Sequence, residues 1–494
     1  MFGFLKKRKA AAPAETKPVR RVRRFAAAGT DRLLEWATSY NKIDGDLKLA
    51  YDKLVTRARD LAKNNQFVVG ILKNLQRNVI GADGFTLQSR SEDADRRAGV
   101  ERLWREYQSR IGGYVTFDER QSGRDFDALV LRTLLVDGEV FIHRAYDPES
   151  RFGYRYEVVD SLEIDPFYNV ADIGNGEKIV MGVKLDDRGR ETAYYICEAT
   201  NDQYRTGPRV EVPAADMIHI YRKEFADQTR GITPLASVIL DLAQLDAYKE
   251  AEVVHARIQA CSMAIWEQNG QATGDLLDDV DDKGEFIREM KPGIFPVAPK
   301  GYTAKQLSNN SPNNQYGVFW KSMLRGIANS LGVSYNKAAG DYESVNYSSL
   351  REATLEDRST FEDLQRFFIE NWKDFEFRDF VRGLVERGEL PAGEMADGLR
   401  HRFFGRRFPW VDPAKEIAAK REEFDLLLTD PISELEARGL DPEEVLDRCA
   451  EWKKMVLDRG LEFMAGDKPT APAETADDEE ENNNPEETDN GSQS

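Results

Sequence analysis

Arg230-Gly231-Ile232-Thr233-Pro234-Leu235 opens the stretch that organises this chain, residues 230–372. Leu235, Val238, Ile239, Leu242 and Leu245 recur at three-to-four spacing, and Ile258, Cys261 and Ile265 resume the stripe. That spacing predicts a long helix over 235–266. About 28 residues make a rod of about 42 Å. Asp241, Asp246, Glu250 and Glu252 lie off the stripe. Such a rod is too long and too polar for the centre of a small core, and suits side-by-side packing against copies of itself. An insert rich in Gly and Pro follows over 267–312, with 294–297 reading as a short strand. A second helical pattern spans 313–331, with Phe319 or Trp320, Met323, Leu324, Ile327 and Leu331 on one face. Lys321 and Arg325 share another face at i, i+4. A solvated face or ion pairs between subunits explains those two cations more readily than contact with passing phosphates. The polar loop 336–347 comes next, where Gly340 permits a sharp reversal. Ser349 and Glu352 have capping-box spacing, which predicts a third helix from 350 to about 372, with Leu355, Phe361, Leu364, Phe367, Phe368 and Trp372 as an aromatic core face.

Upstream, the pattern predicts an α+β region over 45–228. Leu47, Tyr51, Leu54, Val55, Ala58 and Leu61 are helical, as are Ile71, Leu72, Leu75 and Val79, and that second run stops at Gly81 and Gly84. A short strand at 85–88 and a helix carrying Leu103, Trp104 and Tyr107 follow. A further helix over 126–136 ends at Asp137-Gly138 and leads into a strand over 139–143. The period then becomes two: a strand over 154–164, a hairpin of 178–185 with 192–198 around Asp186-Asp187-Arg188-Gly189, and a strand over 217–221. Downstream, 382–407 reads as a linker. Asp412-Pro413 and Asp441-Pro442 each pair an N-cap with a proline at the first turn, so 412–465 is a small helical domain. The ends are low-complexity: a basic arm over 1–44 and an acidic tail over 466–494, both expected to be disordered.

Charge narrows the function. The net charge is −19; residues 1–25 carry nine Lys or Arg against one acid, while 466–494 carry ten acids against one Lys. An acidic body argues against tight, sequence-specific DNA binding, which needs Lys and Arg to displace counterions, but not against a surface past which DNA slides. No window approaches eighteen consecutive apolar residues, so no membrane span is expected. Cys197, Cys261 and Cys449 are far apart and odd in number, which fits a reducing compartment and offers no disulfide framework.

Catalytic signatures are missing from the sequence. There is no phosphate-binding Gly-x-x-x-x-Gly-Lys-Ser/Thr motif and no Gly-x-Ser-x-Gly elbow. His143, His219, His255 and His401 stand isolated, the first two in strand patterns that favour packing over metal ligation. Asp279-x-Asp281-x-Lys283-Gly284 fails as a calcium loop, with Lys283 and Met290 where oxygens belong. No catalytic residue, cofactor or metal is expected.

Six segments, in order, resemble the lambda-type portal proteins of tailed bacteriophages and prophages. They are Arg57-Ala58-Arg59-Asp60-Leu61 with Asn64-Asn65; Asn78-Val79-Ile80-Gly81; Asp137-Gly138-Glu139-Val140-Phe141; Gln228-Thr229-Arg230-Gly231-Ile232-Thr233-Pro234-Leu235; Gly340-Asp341-Tyr342 with Val345-Asn346-Tyr347-Ser348-Ser349; and Trp410-Val411-Asp412-Pro413-Ala414-Lys415-Glu416. They cover about 45–465. The resemblance implies a ring-forming α+β portal fold. Its expected parts are a wing (45–228), a first stem helix (229–266), a small α/β clip (267–312) and a second stem helix (313–335). A channel loop (336–348), a wing helix with linker (349–411) and a helical crown (412–465) complete it. It further implies a dodecameric ring at one capsid vertex of the virion, assembled in the host cytoplasm, through which double-stranded DNA is packaged and ejected. Expected partners are the terminase large subunit, a head–tail connector, and the major capsid and scaffold proteins, with no membrane. Loop position and charge nominate Lys321, Arg325, Lys337, Tyr342, Asn346 and Tyr347 as DNA-facing. The rival expectation is a metal-dependent DNA-processing enzyme of the packaging apparatus.

Overall fold

Helix α1 (Ile43–Asn64) turns Leu47, Tyr51, Val55, Ala58, Leu61 and Ala62 inward. The Asn65 side chain then accepts from the Phe67 and Val68 amides at 3.0 and 3.1 Å, capping α2 (Gln66–Val79). The computed structural model describes residues 41–197, 208–261, 265–268, 302–305, 315–343, 345–408, 413–437, 440 and 442–460. Residues 1–40 of the arm expected over 1–44, most of the insert with its strand at 294–297, the caps Asp412 and Asp441, and the tail over 466–494 lie outside the described residues, while the last two residues of that arm, Ile43 and Asp44, open α1. Two compact units divide the chain at Arg406/Arg407.

The larger unit mixes helices with antiparallel sheet. After β1 (Thr86–Ser89) come α3 (Ala94–Tyr107) and α4 (Gly123–Asp137). Helix α4 ends at Gly138, whose φ of 90° is the left-handed conformation that glycine adopts without strain. β2 (Glu139–Tyr146) is central between β3 (Tyr154–Val159) and β9 (Met217–Tyr221). A second sheet runs in meander order: β4 (Val170–Gly174), β5 (Glu177–Val180), β6 (Val183–Leu185), β7 (Glu191–Cys197) and β8 (Arg209–Pro213). Phe141, Val159 and Met217 of the first sheet share one core with Val183, Leu185 and Tyr194 of the second.

Two strands expected here are subdivided. The strand predicted over 154–164 stops at Val159, and Ile164 joins Ile196 in an isolated bridge. The run over 178–185 is two strands, because Met181 and Gly182 both take positive φ and fold Val180 back onto Val183. Strands β4 and β8 were not anticipated.

The organising stretch differs more. Thr233 accepts from the Leu235 amide at 3.2 Å and starts a 3-10 turn, Pro234–Ser237. Helix α5 (Ile239–Cys261) has 23 residues, about 35 Å, shorter than expected. Ile265 does not continue its stripe; it begins β10 (Ile265–Gln268), antiparallel to β11 (Tyr302–Lys305). Helix α6 (Tyr316–Ser330) packs back on α5 through Tyr248, whose ring lies 5.4 Å from both Tyr316 and Phe319.

The expected loop contains a short helix, α7 (Tyr335–Ala339), ended by Gly340 at φ 65°. Helix α8 (Tyr347–Phe368) starts earlier than the capping box at Ser349 and Glu352 suggested, because Asn346 caps it through the Ser349 amide at 2.8 Å. It does not stop at Trp372. A π-helical turn, Ile369–Lys373, passes directly into α9 (Asp374–Glu386). The supposed linker over 382–407 is therefore partly helix. It also supplies α10 (Met395–Gly398) and β12 (His401–Phe404), which pairs with β1 from Thr86↔Phe404 to Ser89↔His401.

The smaller unit contains α11 (Pro413–Asp425), α12 (Pro431–Ala437) and α13 (Pro442–Asp458), each with proline at its first position. Lys420 links Glu423 and Glu434 at 2.7 Å each, while Leu427, Leu428 and Trp452 stay exposed.

Candidate functional site

The region that combines cations, exposed aromatics and a chain reversal is the α6–α7–α8 connection. Lys321 and Arg325 stand one turn apart on α6. Lys321 Nζ lies 2.9 Å from Asp341 Oδ2, and the Tyr335 hydroxyl donates to the same oxygen at 2.8 Å. The Glu343 amide donates to Asp341 Oδ1 at 3.1 Å. Lys321, Tyr335 and that amide together hold the Asp341 carboxyl down at about 2, and the same contact raises Lys321 above the ordinary lysine range. Both groups reach solvent, the Lys321 side chain at 43% exposure and Asp341 at 20%.

Lys337 is held differently. Its Nζ lies 2.9 Å from Asp357, which is only 2% exposed and also accepts from the Ser334 amide at 2.6 Å and the Ser334 hydroxyl at 2.8 Å. Asn346 spends its side-chain oxygen on the α8 cap. Arg325 is exposed and places its guanidinium 5.3 Å from the Tyr335 ring centroid; among the described residues it has no carboxylate in ion-pair range. Tyr342 and Tyr347 are 56% and 57% exposed. Five of the six nominated residues thus gather on α6, α7 and the start of α8, and Tyr342 lies in the turn between the last two.

Sequence reasoning missed Tyr335, Asp341 and Asp357. Asp357 carried a signal: it shares the inward line of α8 with Phe361, Gln365 and Phe368, and a carboxylate on a core-facing line announces a buried partner. Asp341 carried none, because its partner is set by the reversal at Gly340.

A second polar centre lies where the chain leaves the sheets for α5. The Arg230 guanidinium is fully buried. Its Nε donates to Glu139 at 2.7 Å. The terminal nitrogens donate to the Met181 carbonyl at 2.7 Å and to the Tyr51 hydroxyl and Ser161 carbonyl at 2.8 Å each. The Gly231 amide donates to Glu139 at 2.7 Å, and Tyr51 donates to the same carboxylate. His219 presents Nε2 to Glu139 at 2.9 Å and Nδ1 to Glu191 at 3.0 Å. Burial opposes ionisation of Glu139, but Arg230 and His219 outweigh it and hold the carboxyl at about 2. Burial likewise disfavours the imidazolium, but Glu191 and Glu139 outweigh it and raise the His219 pKa. Only glycine fits at 231, since a Cβ there would stand 2.3 Å from the Gly138 carbonyl. Two motifs far apart in sequence, Asp137-Gly138-Glu139 and Arg230-Gly231, therefore meet back to back. Arg59 completes the link by bonding Asp137 and Asp160, each at 2.9 Å.

A third cluster sits at the π turn. Trp372 Nε1 donates to Asp127 at 2.7 Å, Lys373 pairs with Asp127 at 3.1 Å and with Glu376, and Gln108 donates to Glu376 at 2.7 Å. Burial pushes the Glu376 carboxyl up to about 7 despite Lys373. Among the described residues, no three His, Cys, Asp or Glu side chains are grouped to hold a metal ion, and no helix is long and apolar enough to cross a membrane.

The chain resembles known proteins over most of its length. It is 28% identical to the probable portal protein of Halomonas phage phiHAP-1, over 89% of this chain and 88% of that protein. It is 25% identical to the portal protein of Escherichia phage N15, over 68% of this chain and 70% of the other. Portal protein B of Escherichia phage lambda is 23% identical, over 68% and 69% respectively. Among solved structures, a chain in the virion of a native gene transfer agent particle aligns with a TM-score of 0.43 at 13% identity, covering 79% of this chain and 94% of that one. The family model described as phage portal protein, lambda family, matches residues 29–365, which take in both rods and the loop between α6 and α8, and the chain belongs to that family.

Proposed function

We propose that this chain is the portal subunit of a tailed phage or prophage, forming a dodecameric ring at one vertex of the capsid through which double-stranded DNA is packaged and later ejected. The observation that carries this reading is the family match, which is continuous across the sheets, α5, α6 and the loop. In the ring, 45–228 forms the wing, α5 and α6 the stem, 267–312 the clip, 336–348 the channel loop, 349–411 the wing helix and 412–465 the crown. The clip meets the terminase large subunit during packaging and a head–tail connector afterwards. The rods support this reading. Leu240, Val253 and Val254 of α5 and Val318 and Phe319 of α6 remain exposed within one chain, as expected of faces that neighbouring copies cover. An acidic body keeps affinity for passing phosphate low, which a conduit requires.

At the loop, Arg325, Tyr342 and Tyr347 face the duplex. Lys337 and Asn346 hold the loop in shape through Asp357 and the α8 cap. Negative-stain microscopy of the purified chain tests the reading: rings with a central hole are expected, and monodisperse monomers at high concentration would overturn it.

A further inference from the structure

The Asp341 carboxylate is arranged like a bound anion. Two donors from different elements, Lys321 Nζ and the Tyr335 hydroxyl, converge on one of its oxygens at 2.9 and 2.8 Å. A phosphodiester oxygen has the same charge and accepting geometry. Asp341 follows Gly340, which holds a left-handed φ of 65° with nothing packed where a Cβ would stand, so the residue can swing about that glycine without disturbing a core. The ion pair is partly exposed on both sides, where water and salt keep its strength small. The neighbouring pair, Lys337–Asp357, cannot exchange in this way, since Asp357 is buried and tied to Ser334 through two further bonds. Arg325, one turn along α6 from Lys321, lies over the ring of Tyr335, the residue whose hydroxyl donates to Asp341.

We propose that Asp341 is a built-in competitor for DNA phosphate, holding Lys321 in an ion pair into which a duplex phosphate exchanges while Arg325 stays open for first contact. The proposal rests on the portal reading. The loop then has two electrostatic states. With Asp341 seated, one cation per subunit meets DNA and the duplex slides. With Asp341 displaced, Lys321 and Tyr335 add their donors and the loop grips.

The test uses rings of the full chain and a short duplex titrated by fluorescence anisotropy over a range of salt concentrations. Asp341→Asn, and Asp341→Ala to remove the acceptor altogether, are expected to tighten binding at least about threefold at low salt. The salt dependence should steepen by about one for each freed lysine that engages a phosphate. Adding Lys321→Gln to either variant should return both quantities to wild type. Glu343→Gln removes the same charge two residues away without touching the pair, and should change binding less. Unchanged affinity in both Asp341 variants would overturn the proposal, as would tightening that survives Lys321→Gln or is matched by Glu343→Gln. Rings that form normally with any of these results would leave the portal reading intact, whereas failure of the wild-type chain to form rings would remove both.

Discussion

Arg230 and Lys321 each rest on a single carboxylate, yet burial makes them opposite kinds of object. Arg230 lies with Glu139 at zero exposure, its nitrogens spent on a hydroxyl, carbonyls and that carboxylate. Lys321 and Asp341 face water. A buried pair repays its desolvation only while complete, so losing one partner strands the other. An exposed pair gains little and loses little, so it is free to change partners. The first therefore suits a joint between the sheets and the rods, and the second suits a contact that works by exchange.

The largest expected effect breaks the joint. Glu139→Ala leaves Arg230 and His219 buried without their shared anion, and should cost about 3–5 kcal/mol in chemical denaturation. Lys337→Met is intermediate. It removes a charge from Asp357 but leaves both Ser334 bonds, so a loss of about 1–3 kcal/mol is expected by the same measurement. His219 sharpens the comparison through pH. Its pKa is raised above the ordinary 6.5 by Glu191 and Glu139, so its stabilisation is fully present below 6.5 and is lost as pH rises through the folded value. Thermal midpoints should fall on that alkaline side, and His219→Gln should flatten the slope. The smallest effect belongs to the loop, where Asp341→Asn should leave the thermal midpoint unchanged. A clear drop there would mean that the loop pair is structural after all.

Much of the fold was legible because it is local. The α1 and α2 faces, the turn at Gly138 and the aromatic line of α8 are all written in short periods. The order of motifs pointed to the family before any contact was known. What stayed hidden is pairing at a distance. Strand β1 was legible as a short strand at 85–88, but its partner β12 has four residues, too few to show a period, and the two pair across most of the unit, which is why 382–407 read as a linker. Helix α5 read too long because Ile265 keeps helical spacing by coincidence while its backbone pairs with Lys305. At the site, residue type and i, i+4 spacing located Lys321 and Arg325, but nothing local distinguishes the paired lysine from the open arginine. That difference depends on where Gly340 sends Asp341.

The π turn between α8 and α9 acts as a phase shifter. Ordinary spacing would continue the inward line of Phe361, Phe368 and Trp372 onto Glu376, Asp379 and Gly383. One extra residue in the turn rotates the following helix by about 100°, which brings Phe377, Val381 and Leu384 inward beside Glu376, Asp379 and Gly383, so that both rows are buried. A single continuous helix thereby buries two rows after the turn, one apolar and one whose carboxylates Lys373, Gln108 and Arg144 satisfy. Deleting one residue between 369 and 373 would keep the helix but turn both rows by about 100° away from their present partners. This stretch should therefore tolerate substitution far better than any change in length.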